Sequence, residues 1–583
     1  MELPPGPRYI LRLIPTFAVP SLAVYFALTL LQLLGLCNLS LWFIVPAVLL
    51  AKPILLLWNI HYGKWVVRRA AASFGAVVPP VVQEWSVFTI KEIAATTKTG
   101  HPCNKMLEFE EKYGHVFQLE LFNNVALATT EPEHIKAILA TQFESFDKGP
   151  MFIDQMSSLL GTGVFNADGE MWKFHRAMTR PFFTRERISD FEIYHRNCDI
   201  TLRVAKQRLN EGLSVDFQDL VSRFTLDAAT EFLFGNNVGS LLAGIPYPPS
   251  HESRTSRSFY DHPSTAFVKA FVQGQVQSAM RLNYGAEWPL SEFWADEVKP
   301  ARNVMDQFIE PLMEKALARR QQEIDGAIES KAEEETLLGH LVNHTQDTVI
   351  LKDELANLLV AGRDTTGSLL TFSMYMLTQH PDIEKRLRAE IFDTVGPAGS
   401  PTYEHMRQMK YVRAFLNEVL RLYPPVPADF RCSNKATTLP AARPGQKPIY
   451  VPVNTPTLYV TMNMQRRTDL WGPDALEFDP DRFLDERLQK YLIPNPFILS
   501  PFNAGPRICL GQQFAYHEAT FFLVRLLQNF TGFALDDSVN IAPPADWASG
   551  IGRKATEKIF PLSHLTLYVN GGLWVQMKEL PGA

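Results

Sequence analysis

Cys509 stands in the run Phe502-Asn503-Ala504-Gly505-Pro506-Arg507-Ile508-Cys509-Leu510-Gly511, close to the C-terminal end of the chain. A cysteine must be ionised before it ligates a metal, and backbone N–H donors with a nearby positive end lower its pKa. The apolar run from Leu510 to Leu523 predicts a helix beginning just after the cysteine, its electropositive N-terminus beside the sulfur. Gly505 and Gly511 can adopt backbone conformations closed to other residues and let the main chain approach a flat ligand. Arg507 offers a planar fork of donors suited to a carboxylate such as a haem propionate. Phe502 would shield the sulfur from water and so tune the metal. The set suits a haem iron held through a thiolate, which pushes electron density onto the metal and favours O–O cleavage. A cysteine taken alone would more simply be a buried structural thiol; the whole pattern in register argues otherwise.

Three further constellations precede it. Ala361-Gly362-Arg363-Asp364-Thr365-Thr366 lies inside a helical pattern from about Leu351 to Leu377, with Ala361 and Thr365 four apart on one face. Glycine in mid-helix costs about 1 kcal/mol relative to alanine, so Gly362 predicts a local distortion, to which a threonine bonding back one turn would add. Glu418 and Arg421 are three apart and share a helix face, the ordinary spacing of a surface pair. Trp172 and Arg176 form a W-x-x-x-R pair on another helix face. Arg431 follows the Pro424–Pro427 turn.

Position for position, Phe502–Gly511 resembles the haem-binding signature of the cytochrome P450 family, and the other motifs stand upstream in that family's order. The likeness runs from about Glu84 to the C-terminus. It implies a mainly α fold with minor β, and haem b bound through the Cys509 thiolate. It also implies that Asp364 is a proton-relay acid and Thr365 the hydroxyl that passes the proton on. Arg482, in Phe478-Asp479-Pro480-Asp481-Arg482-Phe483, would join Glu418 and Arg421 in a buried Glu–Arg–Arg cluster. Trp172, Arg176 and Arg431 would meet the haem propionates. Leu358, Ala361, Val426 and Phe430 are expected to line the substrate pocket, being apolar and close in sequence to haem-facing elements.

The activity implied is monooxygenation with O2, with electrons from NADPH–cytochrome P450 reductase and cytochrome b5 as an optional second donor. No nicotinamide or flavin site is expected in the chain itself: Gly161-Thr162-Gly163 lacks the third glycine of a dinucleotide fingerprint, residue 166 being Asn. Ile135–Phe146, Leu351–Thr366 and Ala428–Pro440 resemble the fungal membrane-bound hydroxylases of n-alkanes and long-chain fatty acids. Other lipophilic substrates stay open. Two rival activities do as well: a haem-thiolate peroxide isomerase or dehydratase, against which the Asp364-Thr365 pair speaks, and a non-catalytic haem binder.

The composition agrees. The chain has 583 residues, 46% of them hydrophobic, room for one very large domain. Five scattered cysteines without a C-x-x-C argue against a disulfide framework and against structural zinc. Fourteen histidines show no metal spacing. A peroxidase-like ligand role for His517 is less simple than packing. A net charge of −6 without a long basic run gives no sign of nucleic-acid binding.

Leu13 to Ala51 contains no charged residue, and about 20 apolar residues cross a bilayer. Residues 1–70 are therefore expected to be a membrane anchor, with Leu13–Leu34 as one span. Leu41–Ile60 is either a second span or an interfacial segment, Lys52 lying near its middle. A hairpin would gather Arg8, Arg12, Lys64, Arg68 and Arg69 on one side, in keeping with a membrane of the endoplasmic reticulum and a haem domain facing the cytosol. Residues 71–86 read as a linker and 87–583 as the haem domain. Within it, Val116–Thr130 reads as extended, Gly235–Pro289 as a loop or lid, and Gln321–Thr336 as a solvated helix with its end. Ile449–Tyr459 reads as pieces kept at a sheet edge by proline, and Leu565–Met577 as a hairpin turning at Asn570-Gly571.

Overall fold

Two long apolar helices lead the chain, α1 (Pro5–Leu33) and α2 (Leu41–Ser73), and both are long and apolar enough to cross a membrane. They lie side by side: Ser21 Oγ donates to the Val48 carbonyl at 2.9 Å, and Lys52 stands 5.3 Å over the Phe17 ring. The computed structural model describes residues 3–121, 124–183, 191–325 and 336–580. Most of the expected charge-dense segment, 326–335, lies outside these, its first residues forming the end of the helix at Lys299–Ile324.

The expected linker is not free chain. The Val77 amide donates to Pro448 O at 2.9 Å, and the Tyr450 amide donates back to Val77 at 2.9 Å. Val82 N and Gln118 N close a second pair of backbone bonds, to Gln118 O and Pro80 O at 2.9 and 2.8 Å. Its prolines and small residues follow an extended path along two strands, and such a path has the same composition as a linker.

Val116–Thr130 divides into an antiparallel pair, β1 (Val116–Leu121) and β2 (Asn124–Thr129). With β3 (Phe146–Asp147), β4 (Asp429–Ser433) and β5 (Pro456–Tyr459) they make a five-stranded sheet in the order β1-β2-β5-β4-β3. β5 therefore sits inside the sheet, parallel to β2 and antiparallel to β4, and not at an edge. Proline is tolerated there because Pro456 is the first residue of its strand.

Helices supply the rest of the scaffold. The ones that position the site are α3 (Pro150–Leu160), α4 (Gly169–Thr179), α5 (Phe217–Phe234), α6 (Pro263–Tyr284), α7 (Lys299–Ile324), α8 (Thr348–Gln379), α9 (Lys410–Leu422) and α10 (Gln512–Asn529). Asp347 starts α8, its carboxylate accepting from Val349 N and Ile350 N. Most of α8 is buried, running between α5 on one side and α9 and α10 on the other. Leu369, Phe372 and Met376 of α8 share a core with Phe415 and Leu416 of α9 and with Phe521 and Phe522 of α10.

Two expectations from turn chemistry fail. The supposed lid, Gly235–Pro289, contains the 22 residues of α6, which starts at Pro263 with His262 as its cap. The glycines, prolines and serines crowd into short turns before it. Asn570-Gly571 does not close a hairpin. Leu567–Val569 pairs with Pro561–Ser563, whereas Trp574–Glu579 pairs with Phe530–Leu535 in another sheet. Gly571 and Gly572 have φ of +77° and +88° and carry the chain from one sheet to the other.

The first turn of α1 returns to the globular part. Gly6 is the buried residue of that helix, its amide donating to Phe293 O at 3.0 Å, and a Cβ there would collide with the Phe293 ring. We expect Gly6→Leu to lift this turn from residues 285–294, read as faster amide hydrogen exchange in that segment of the bilayer-reconstituted protein. Unchanged exchange would show that the contact holds nothing in place.

Candidate active site

The loop before α10 is built around two close approaches. Cys509 N donates to Phe502 O at 3.0 Å, closing the loop on itself. Gly505, at φ +66°, passes so near Leu139 O that a Cβ would overlap it, so this position demands glycine on both counts. Gly511 differs from expectation: its φ of −82° is open to any residue, and a side chain there would only touch Phe183 and Cys509. Phe502 packs its ring on Tyr516 of α10, 5.2 Å between centroids. Cys509 keeps an accessible face although protein surrounds it. Burial pushes its thiol pKa up, opposed by the Gly511 N–H and by the positive charge of Arg176.

Cations gather beside this loop. Arg507 lies 4.4 Å over the Trp172 ring, donates to Ala167 O at 3.0 Å and pairs with Asp168 at 2.7 Å. Its buried Nε has no partner among the described residues. Arg431, on β4, pairs with Asp429 at 2.8 Å, and Lys148 reaches the same carboxylate at 3.1 Å. Burial and the charge of Arg431 press Arg507 down to about 10 and Lys148 down to about 8. The cluster is thus short of negative charge. Arg176, on α4, is half-buried, and among the described residues it has no hydrogen-bond or ion-pair partner. Underpaired guanidinium groups around an accessible cysteine fit haem b, whose propionates would supply the missing carboxylates and whose iron would take the sulfur.

α8 carries the acid and the hydroxyl. Thr365 Oγ1 donates to Ala361 O at 2.7 Å, the back-bond expected of a helical threonine. Asp364 turns towards α6, accepting from Arg363 at 2.6 Å and from Gln275. The helix is continuous through Gly362. The glycine instead lets α5 come close, a Cβ there lying 3.3 Å from Ala229. Close helix packing, not distortion, accounts for it.

Glu418, Arg421 and Arg482 come together with no solvent exposure. Arg421 grips Glu418 through both carboxylate oxygens at 2.6 and 2.7 Å, and Arg482 Nε lies 3.5 Å away from it. Arg421 also donates to the carbonyls of Gln465, Ala475 and Glu477, and Arg482 to those of Trp471 and Asp474. The cluster therefore ties α9 to the irregular chain that leads into the cysteine loop.

Leu358 and Phe430 fall in one apolar cluster with Met156 and Phe152, whose ring meets Phe430 edge-on at 5.2 Å. Ala361 and Val426 are half-buried, Val426 in the turn after α9 and outside that cluster. His517 packs between Phe191 and Tyr403 on α10, a packing role.

Several residues of the site escaped sequence reasoning. Lys148, Asp168 and Asp429 lie in three separate segments, and nothing local marks them as neighbours. Glu518 is another: it is fully buried on α10 facing α8, and burial pushes it up to about 8, with only slight relief from the Thr366 hydroxyl. An unfolded glutamate titrates near about 4.3, so folding takes up a proton between these values. The stability that Glu518 permits is full at low pH and falls as pH rises through about 8. Thermal melts across that range should show this loss, and Glu518→Gln should flatten it. An equal slope in the variant would place the cause elsewhere. Glu418→Ala leaves two buried arginines facing each other, a cost of about 3–5 kcal/mol. It should yield little or no haem-loaded protein in the reduced carbon-monoxide difference spectrum, and normal loading would sink the structural role.

The comparisons with known proteins agree with this chemistry. A family model described as Cytochrome P450 matches residues 79–557. The chain is 35% identical to Cytochrome P450 52A5 of Candida maltosa over 79% of its own length and 82% of that protein. It is 36% identical to Cytochrome P450 52E1 of Candida apicola over 70% of its length and 75% of the relative. With Cytochrome P450 monooxygenase himC of Aspergillus japonicus the figures are 34%, 80% and 76%. Matched over most of its length by family model and relatives alike, the chain belongs to the cytochrome P450 family and is a haem b monooxygenase with a cysteine thiolate as axial ligand.

Proposed function

We propose that this protein hydroxylates a long lipophilic substrate, an n-alkane or long-chain fatty acid before other lipophilic xenobiotics, using O2 and electrons from an NADPH-dependent flavoprotein reductase. The observation that supports the reading is that Asp364 and Thr365 follow Leu358 of the apolar cluster along α8, whose next residue, Thr366, meets Glu518 of α10, the helix that follows Cys509.

Bound at this site, haem b supplies the activation of dioxygen and the oxidising power. The chain supplies the rest. Cys509 would hold the iron as a thiolate; Arg176, Arg431 and Arg507 would hold the propionates, with Trp172 backing Arg507. Asp364 relays a proton to the Thr365 hydroxyl, which leaves its bond to Ala361 O to hand one on. Leu358, Ala361, Val426 and Phe430 form an apolar wall that excludes water and aligns a hydrocarbon chain. Apolar contact with these four side chains would favour a hydrocarbon chain.

α1 and α2 act as a two-span anchor in the endoplasmic reticulum membrane, the haem domain facing the cytosol. The arrangement puts Arg8 and Arg12 at the same end as Lys64, Arg68 and Arg69. On that side the reductase, and cytochrome b5 as a second donor, would deliver electrons.

The test uses membranes holding the protein and a reductase, given NADPH, heavy-isotope dioxygen and a panel of alkanes, fatty acids, aromatics and terpenoids. Heavy oxygen should appear in hydroxylated alkanes or fatty acids. Thr365→Ala should keep its haem, consume NADPH and release hydrogen peroxide in place of product. Heavy product from another class alone would overturn the substrate, and unchanged coupling in the variant would overturn the relay.

A further inference from the structure

Gln275 is fully buried on α6, far from any motif of the sequence. Its Nε2 donates to one oxygen of Asp364, while its Oε1 is buried with no partner among the described residues. Leaving a buried acceptor unmade costs about 1–3 kcal/mol, so an apolar residue would serve helix packing better. Phe271, one turn earlier on the same face of α6, lies under the Arg363 guanidinium at 5.5 Å. Arg363 in turn holds the other oxygen of Asp364 at 2.6 Å. Both oxygens of this carboxylate are thus referred to α6, one directly and one through Arg363. His564, half-buried in the turn between the strands Pro561–Ser563 and Leu567–Val569, lies near both Asp364 and Arg363, and burial lowers its pKa to about 4.

α6 has a second duty. Phe267 and Phe271 belong to the apolar cluster that contains Leu358, Phe152 and Phe430. Two aromatic residues that pack with that apolar wall and the residue that holds the acid are on the same helix.

We propose that Gln275 is a positioning residue for Asp364: it sets the direction of the carboxylate from α6, so proton delivery depends on where α6 stands against the substrate. The inference rests on the relay reading of Asp364 and adds to it the residue that governs its orientation. Gln275 itself moves no proton and acts only through Asp364.

The experiment compares wild type, Gln275→Leu and Asp364→Asn as haem-loaded, membrane-reconstituted enzymes. The first readout is independent of turnover: the infrared carboxylate band of Asp364 in protein labelled with ¹³C-aspartate, assigned by its loss in Asp364→Asn. The second is product formed per NADPH, with peroxide measured alongside. Gln275→Leu should load haem normally, shift the Asp364 band and lower coupling by about 2- to 10-fold, the worth of one hydrogen bond. An unmoved band, or wild-type coupling alongside an uncoupled Asp364→Asn, would overturn the inference. Wild-type coupling in Asp364→Asn would overturn the relay reading itself, and the inference with it. If Gln275→Leu fails to load haem, Gln275→Met keeps the unbranched shape without the amide and is read in the same way.

Discussion

Burying a thiol favours its protonated form, whereas binding iron requires the thiolate, and most of the site answers to that conflict. Cys509 is set among protein groups with one face accessible, and burial raises its pKa. Against this stand the Gly511 N–H at the start of α10 and the charge of Arg176 on α4. The loop can bring those donors to the sulfur only by running tight against Leu139, which Gly505 alone permits at φ +66°. The chain that leads into it is pinned by Arg421 and Arg482, whose guanidinium groups gather the carbonyls of residues 465–477 around Glu418. A buried ion cluster is a poor source of net stability. Its value here is geometric, since irregular backbone with no ladder partners needs fixed donors.

The cationic side of the site follows the same logic in reverse. Lys148, Arg431 and Arg507, three cations, are drawn together by two acids, Asp168 and Asp429, and burial together with the charge of Arg431 lowers the pKa values of Lys148 and Arg507. Arg176 adds a half-buried guanidinium with no acid paired to it among the described residues. Such a cluster is unfavourable by itself, and binding a dianionic group relieves it. Folding of the haem domain and capture of its cofactor are then linked, because part of the electrostatic cost of the one is recovered in the other.

α8 links the chemistry to the substrate. Its buried length fixes Thr365 and Asp364 along a rigid rod, with Glu518 of α10 facing it one residue beyond Thr365, at Thr366, and Gln275 of α6 holding the acid. At Gly362, where a local distortion was expected, the helix is continuous and α5 packs close against it. The helix that bonds this carboxylate, α6, also contributes Phe267 and Phe271 to the apolar cluster.

How much of this could be read from the chain alone follows from the range of each interaction. The haem-thiolate chemistry, the predominantly helical fold, the helix after Cys509 and the apolar leader rest on patterns a few residues long, and they were legible as such. Failures came where one local signal serves two tertiary purposes. Asn570-Gly571 turns the chain between two sheets as readily as it closes a hairpin; Pro456 starts an interior strand; the prolines of residues 76–82 suit an extended path along strands as well as a linker. What only the tertiary structure decided were contacts between distant segments: Gln275 on Asp364, Lys148 on Asp429, Glu518 against Thr366 and Gly6 against Phe293. Backbone propensity and side-chain period act over a turn or a strand, whereas these pairs form only when packing brings together residues far apart in sequence, and no pattern in the chain records that meeting.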